Sequence, residues 1–300
     1  MKIGNFAINF IIKYVNKDVK RRKKFSPEHG IYDEKINIPY IDDGTIYHTY
    51  DVYKAKENRK NCCLIDIHGG AYIFGDHREN YYFASEFLKE GFDVVLLDYE
   101  PNDGNKDIKS LLNDLSLNLK HLFDRLDEYG LNDDQFVLMG DSAGGHFALL
   151  LSEMLLNSNI QKRIGIELPQ FKPIGVGVFC PVYDFGNACD PNRLTEGAMK
   201  RIFGPNHKKK GDFELISPKT YYKDLKLPIF HSTCYNDFIR DESMKLKFDM
   251  GRRKNYYFEE ITEKGRGVTH VHNVIYPFLK QSKYINNKFV EFLNNILKTK

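Results

Sequence analysis

The chain has 300 residues, enough to bury a sizeable core and still carry an elaborated site, and its 42% hydrophobic and 28% charged content is ordinary for a globular protein. A formal charge of +3 argues against a nucleic-acid partner, which calls for a strong, clustered basic excess. No apolar stretch approaches the roughly 18 residues of a membrane span.

Ile3, Phe6, Ala7, Phe10, Ile11, Tyr14 and Val15 recur at three- and four-residue spacing, which predicts an amphipathic helix over residues 1–24, ending in the basic run Lys20 to Lys24. Most such helices face a core, so this one is read as packed on the body, and no membrane association is expected. Its longest apolar run, Phe10-Ile11-Ile12, is far short of the roughly 7–15 residues of a signal-peptide core. No export signal is therefore expected, and the chain is placed in the cytoplasm. Cys62, Cys63, Cys180, Cys189 and Cys234 are odd in number and match no metal spacing, so they read as reduced thiols.

From residue 35 the pattern changes. Strands are predicted at 36–40 and 45–53 around the Asp43-Gly44 turn signal. Apolar runs at 64–67, 92–97, 136–139, 174–179, 228–234 and 256–261 then alternate with helical stretches at 78–90, 107–128, 143–157 and about 284–298. In the second of these helices Leu111, Leu112, Leu115, Leu119, Leu122 and Leu126 share one side. Such alternation predicts an α/β fold, a mostly parallel sheet of about eight strands covered by helices on both faces. Residues 185–226, with one short helical stretch near 195–203, are too long for an ordinary connection and suggest a lid or cap.

Gly140-Asp141-Ser142-Ala143-Gly144 fits G-x-S-x-G, and its setting between a strand and a helix is that of a nucleophile elbow. The small neighbours permit a sharp reversal that lifts the Ser142 hydroxyl. The Ala143 N–H then lies at a helix N-terminus, where partial positive charge favours an oxyanion. His68-Gly69-Gly70-Ala71-Tyr72 follows the 64–67 strand. Its glycines let bare N–H groups approach a substrate oxygen, so Gly69, Gly70 and Ala143 are the expected oxyanion donors, with His68 bracing the loop. The chain order Ser, acid, His leaves Asp237, just after the 228–234 strand, as the best-placed acid, with Asp241 expected to cap the next helix. His270 and His272 both follow the 256–261 strand. His270 is preferred as the base on position, and His272 remains open. The His-x-His pair lacks a third ligand candidate nearby, so no metal is expected.

Taken together, these residues resemble the hormone-sensitive-lipase-like bacterial carboxylesterases and acetyl esterases of the α/β-hydrolase fold. The resemblance rests on His68-Gly-Gly-Ala-Tyr, Asp98-Tyr99, Gly140-Asp-Ser-Ala-Gly-Gly, Ser217-Pro218, Leu227-Pro228, Asn236-Asp-Phe-Ile-Arg-Asp241 and His270-Val271. It implies a single α/β-hydrolase domain over residues 1–300, with cap elements at about 1–35 and 185–220. It implies a triad of Ser142, Asp237 and His270, oxyanion donors Gly69, Gly70 and Ala143, no cofactor, and a small-molecule, short-acyl ester as substrate. Two positions depart from the family pattern: Glu100 stands where Arg is usual after Asp98-Tyr99, and His272 where an aromatic often follows the His. A peptidase or amidase, a lipase, and a non-catalytic ligand-binding relative remain the alternatives, and a homodimer is compatible with the sequence.

Overall fold

Eight strands form one sheet: β1 (Asp33–Pro39), β2 (Thr49–Lys54), β3 (Cys63–Ile67), β4 (Asp93–Leu97), β5 (Phe136–Asp141), β6 (Gly175–Phe179), β7 (Ile229–Cys234) and β8 (Tyr256–Ile261). Their order in the computed structural model is β1-β2-β4-β3-β5-β6-β7-β8. The structure describes residues 4–6, 8–9, 12–13, 25–131, 135–185, 194–208 and 210–298. β1 and β2 are antiparallel and β2 joins β4 antiparallel, while β3 to β8 run parallel. The parallel strands β3 to β7 are buried throughout. This is why they read as continuous apolar runs rather than as alternations: helices cover both faces.

Leu111, Leu112, Leu115, Leu119 and Leu122 of the helix Ile108–Phe123 pack one face together with Phe147, Leu150 and Met154 of the helix Ala143–Leu156. The other face is covered by Phe83 and Phe87 of Tyr81–Leu88 and by Phe289, Phe292 and Leu293 of Lys280–Lys298. Burial of a Leu or Phe side chain contributes about 1.5–3 kcal/mol, so these two layers carry much of the stability.

Several predicted boundaries shift. The helix expected at 107–128 ends at Phe123 and resumes as the turn Leu126–Tyr129, closed by Gly130 in the left-handed conformation. The last helix begins at Lys280, four residues before the expected start. The 185–226 insertion holds Glu196–Phe203, capped by Thr195 Oγ1, and two short helices that periodicity did not reveal, Lys210–Leu215 and Pro218–Tyr221.

Most of residues 1–24, the basic run and Cys189 lie outside the described residues. Asn5–Phe6, Ile8–Asn9 and Ile12–Lys13 are helical as expected. Among these residues Ile8 is buried and Phe6 is exposed, so Phe6 does not face the body as its spacing suggests. Arg201 in the insertion donates to Asn9 Oδ1 at 2.6 Å, tying the insertion to the N-terminal stretch. No described helix is long and apolar enough to cross a membrane.

Candidate active site

The loops after β3, β5, β7 and β8 meet at the carboxyl ends of these parallel strands, where open α/β sheets hold ligands. β5 ends at Asp141, and Ser142 follows with φ 52° and ψ −114°, a strained backbone for a non-glycine residue. Ser142 N–H donates to the Phe179 carbonyl of β6 at 2.9 Å, which holds the turn in place. Gly140 and Gly144 flank it. A Cβ on Gly140 would sit 2.5 Å from the Gly144 carbonyl group, so the reversal depends on both lacking side chains.

Ser142 Oγ lies 2.9 Å from His270 Nε2, and His270 Nδ1 donates to Asp237 Oδ1 at 2.7 Å. These three side chains come from positions up to 128 residues apart. Asp237 also accepts from Ile239 N–H at 3.0 Å and Thr233 Oγ1 at 2.9 Å. Burial alone would raise its pKa, but His270 and these donors outweigh burial and hold the carboxyl below its usual range. The Asp237 carboxylate is thus held charged and fixed in position. Asp241 does not cap the following helix. It sits inside the first turn of Arg240–Met250, and Asp237 takes the Ile239 N–H instead.

His272 is placed elsewhere. Its Nδ1 donates to Ser282 Oγ at 2.9 Å, the ring is buried, and burial pushes its pKa down to about 4. It anchors the last helix, filling the position where the sequence pattern suggested an aromatic. His231 is also buried in β7, hydrogen-bonded to Tyr256 OH at 2.6 Å, and His207 bonds the Gly204 carbonyl.

The His68 loop is braced as expected. His68 Nδ1 donates to the Gly69 carbonyl at 2.7 Å and Nε2 to Asp98 Oδ1 at 2.9 Å, with the ring stacked on Tyr99 at 4.4 Å. Burial alone would lower its pKa, but Asp98 and the Gly69 carbonyl outweigh it, so the ring holds its proton more firmly than a free imidazole. Glu100, the charge reversal after Asp98-Tyr99, is paired with Lys106.

One donor assignment needs correction. Gly69 N–H donates to Asp141 Oδ1 at 3.0 Å and is therefore committed to the protein, not open to a ligand. The chain turns outward one residue later, with φ 110° at Gly70, 50° at Ala71 and 67° at Tyr72. Gly70 and Ala71 line the cavity beside Ser142. Asp141, the variable residue of the elbow motif, was not singled out from sequence, nor was Asn80, which donates to both Asp141 Oδ1 and Asp66 Oδ2.

The cavity over Ser142 measures about 240 Å³. Its wall is mainly apolar, with Ile8 from the N-terminal stretch and Leu194 and Ile202 from the 185–226 insertion joining Phe238, Val274 and Ile275. Cys180, Asp237 and His270 bring one potential metal-ligand atom each within 4.8 Å of one another. Two of these are already bonded to each other, and Cys180 Sγ accepts from Val271 N–H at 3.4 Å, so ligation would require breaking the relay.

The BD-FAE family model matches residues 50–247, the greater part of the chain. Among solved structures, esterase B from Lactobacillus rhamnosis is 21% identical, with a TM-score of 0.82 over 97% of this chain and 94% of that one. A form of that esterase inhibited by a tributyrin phosphonate is also similar, with a TM-score of 0.81. The carboxylesterase EstE1, cloned from a metagenomic library, is 19% identical, with a TM-score of 0.69 over 96% of this chain and 97% of that one. A Pyrobaculum calidifontis esterase is 16% identical, with a TM-score of 0.67 over 97% and 93%. At these identities the likeness establishes the fold. No curated protein matches the chain in sequence. With the family model spanning the Ser142 elbow, the His-Gly-Gly loop and Asp237, the chain belongs to the BD-FAE family and is a hormone-sensitive-lipase-like α/β-hydrolase.

Proposed function

We propose that the protein is a serine carboxylesterase that transfers the acyl group of a small ester to water. The observation that carries this reading is the unbroken relay from Asp237 through His270 to Ser142 Oγ at the wall of an apolar cavity. His270 takes the Ser142 proton as Oγ attacks the ester carbonyl, and Asp237 holds the imidazole in the right tautomer and stabilises its charged form. The alcohol leaves with a proton from His270. A water activated by the same nitrogen then hydrolyses the acyl-enzyme.

The oxyanion donors in this reading are the N–H groups of Gly70, Ala71 and Ala143. None of them accepts a role within the described fold comparable to that of Gly69, which is spent on Asp141. Each such donor is worth about 10²–10³ in rate.

A short acyl chain is favoured by the small, largely apolar cavity. The tributyrin phosphonate that inhibits the Lactobacillus esterase B carries short chains too. The regions near 1–35 and 185–220 act as the cap, which Ile8, Leu194 and Ile202 support by lining the cavity. A cytoplasmic location belongs to the same proposal, supported by the free thiols of Cys62, Cys63, Cys180 and Cys234.

The test is labelling with a fluorophosphonate followed by peptide mapping, alongside ester and amide substrates of matched acyl length. An adduct on Ser142 with turnover confined to esters is the expected result. Absence of an adduct on folded protein would overturn the reading, and faster amide than ester cleavage would replace it with an amidase.

A further inference from the structure

We propose that Phe238 selects the alcohol half of the substrate, and that the preferred esters carry a flat, apolar, ring-bearing alcohol. The inference rests on the esterase reading above. Phe238 is 75% exposed, the residue next to the proposed acid, and it lines the cavity over Ser142. Its ring centroid is 4.4 Å from that of His270, with the planes inclined at 53°.

The chemistry says which half of the substrate meets this ring. The leaving oxygen has to receive its proton from His270 Nε2, so it must lie about 3 Å from that nitrogen. The alcohol carbons attached to it then run past the imidazole, where the Phe238 face is the adjoining apolar surface. The acyl carbons, on the other side of the carbonyl, diverge from it. Val271 and Val274, which follow His270 in the chain, line the same cavity. No charged group of the described residues pairs with this ring.

The platform is also held still. Asp237 N–H donates to the Cys234 carbonyl, Arg240 N–H donates to the Asp237 carbonyl, and Asp237 Oδ1 accepts from Ile239 N–H. Arg240 Nε donates to Glu260 Oε1 of β8 at 2.7 Å. A large aromatic ring left in water on a backbone this constrained gains contact area on binding at little cost in ordering.

The test compares benzyl acetate with ethyl acetate. Both form the same acetyl-enzyme and release alcohols of similar acidity, so a difference between them reports binding of the alcohol. We expect wild-type kcat/KM to favour the benzyl ester by about 3- to 10-fold, the range of one aromatic pair contact. Phe238→Ala should abolish this ratio, mainly through KM for the benzyl ester. Phe238→Tyr, which keeps a flat ring, should retain it. Hydrolysis of the acetyl-enzyme, followed after a burst, should be the same whichever ester formed it. Absence of a benzyl preference in the wild type, or a ratio unmoved in Phe238→Ala, would overturn the inference. So would equal losses on both esters, which would make Phe238 a support for His270 alone. Fluorophosphonate labelling of Ser142 separates the two levels: no adduct means the esterase reading has failed, and an adduct without the benzyl effect means only this one has.

Discussion

Asp141 Oδ1 accepts the Gly69 N–H at 3.0 Å, so the residue before the proposed nucleophile ties the elbow to the loop proposed to hold the oxyanion. Asn80 Nδ2 reaches the same oxygen at 3.1 Å. Asp141 therefore acts through position: it sets how far Gly70 and Ala71 stand from Ser142. Asp141→Ala should lower kcat by about 10- to 100-fold with little change in KM, because misplacement of the donors weakens transition-state binding. It should also cost about 1–3 kcal/mol of stability, since Gly69 N–H and Asn80 lose a buried acceptor. Steady-state kinetics and urea unfolding on the same preparation check both effects.

The two candidate histidines should separate cleanly. His270→Ala should reduce kcat by about 10⁴- to 10⁶-fold with near-normal stability, as expected for a member of a catalytic unit. His272→Ala should do the reverse, because it removes the buried bond to Ser282 and leaves the relay intact. A stability loss of about 1–3 kcal/mol is expected there. Comparable activity losses in both variants would contradict the placement of His272.

Asp66 gives a pH dependence with a definite sign. Burial pushes its carboxyl up to about 8, and the neighbouring Asp141 charge adds to the rise. A carboxyl whose pKa is higher folded than unfolded favours the fold while protonated. That stability is present in full below about pH 4 and is lost as pH rises toward about 8. Asp66→Asn keeps an acceptor for Asn80 and removes the titration. Urea unfolding at pH 5 and pH 8.5 should show the wild type losing about 1 kcal/mol or more relative to the variant across that interval. Parallel losses would exclude Asp66 as the titrating group.

The backbone at Ser142 stores strain that glycine relieves. With φ at 52° and ψ at −114°, Ser142→Gly should be more stable than Ser142→Ala by about 1 kcal/mol, since both lack the hydroxyl and only glycine adopts this conformation freely. Both should be inactive as esterases to within about 10⁴- to 10⁶-fold of the wild type. Thermal unfolding of the pair reads the difference.

The elbow, the alternating strands and helices, and the order Ser142, Asp237, His270 were legible along the chain because each is written in local pattern. G-x-S-x-G needs small residues within two positions of the serine, and buried parallel strands need unbroken apolar runs. The two short helices of the 185–226 insertion, with four and six residues, are too brief to show a period and stayed hidden. The burial of Ile8 was also out of reach, because it comes from the tertiary packing around the cavity that Ile8 lines and not from the spacing of its neighbours.

Choices between near neighbours belonged to the tertiary structure. His270 and His272 share a loop and a pattern, and what distinguishes them is Ser142, 128 residues from His270, and Ser282 in the last helix. Gly69 and Gly70 are equal in sequence, yet Asp141, 72 residues away, takes the N–H of one and leaves the chain to turn outward at the next. A motif determines which chemistry a chain can carry. Which atom carries it depends on hydrogen bonds to residues distant in sequence, and those exist only once the sheet has brought the strand ends together.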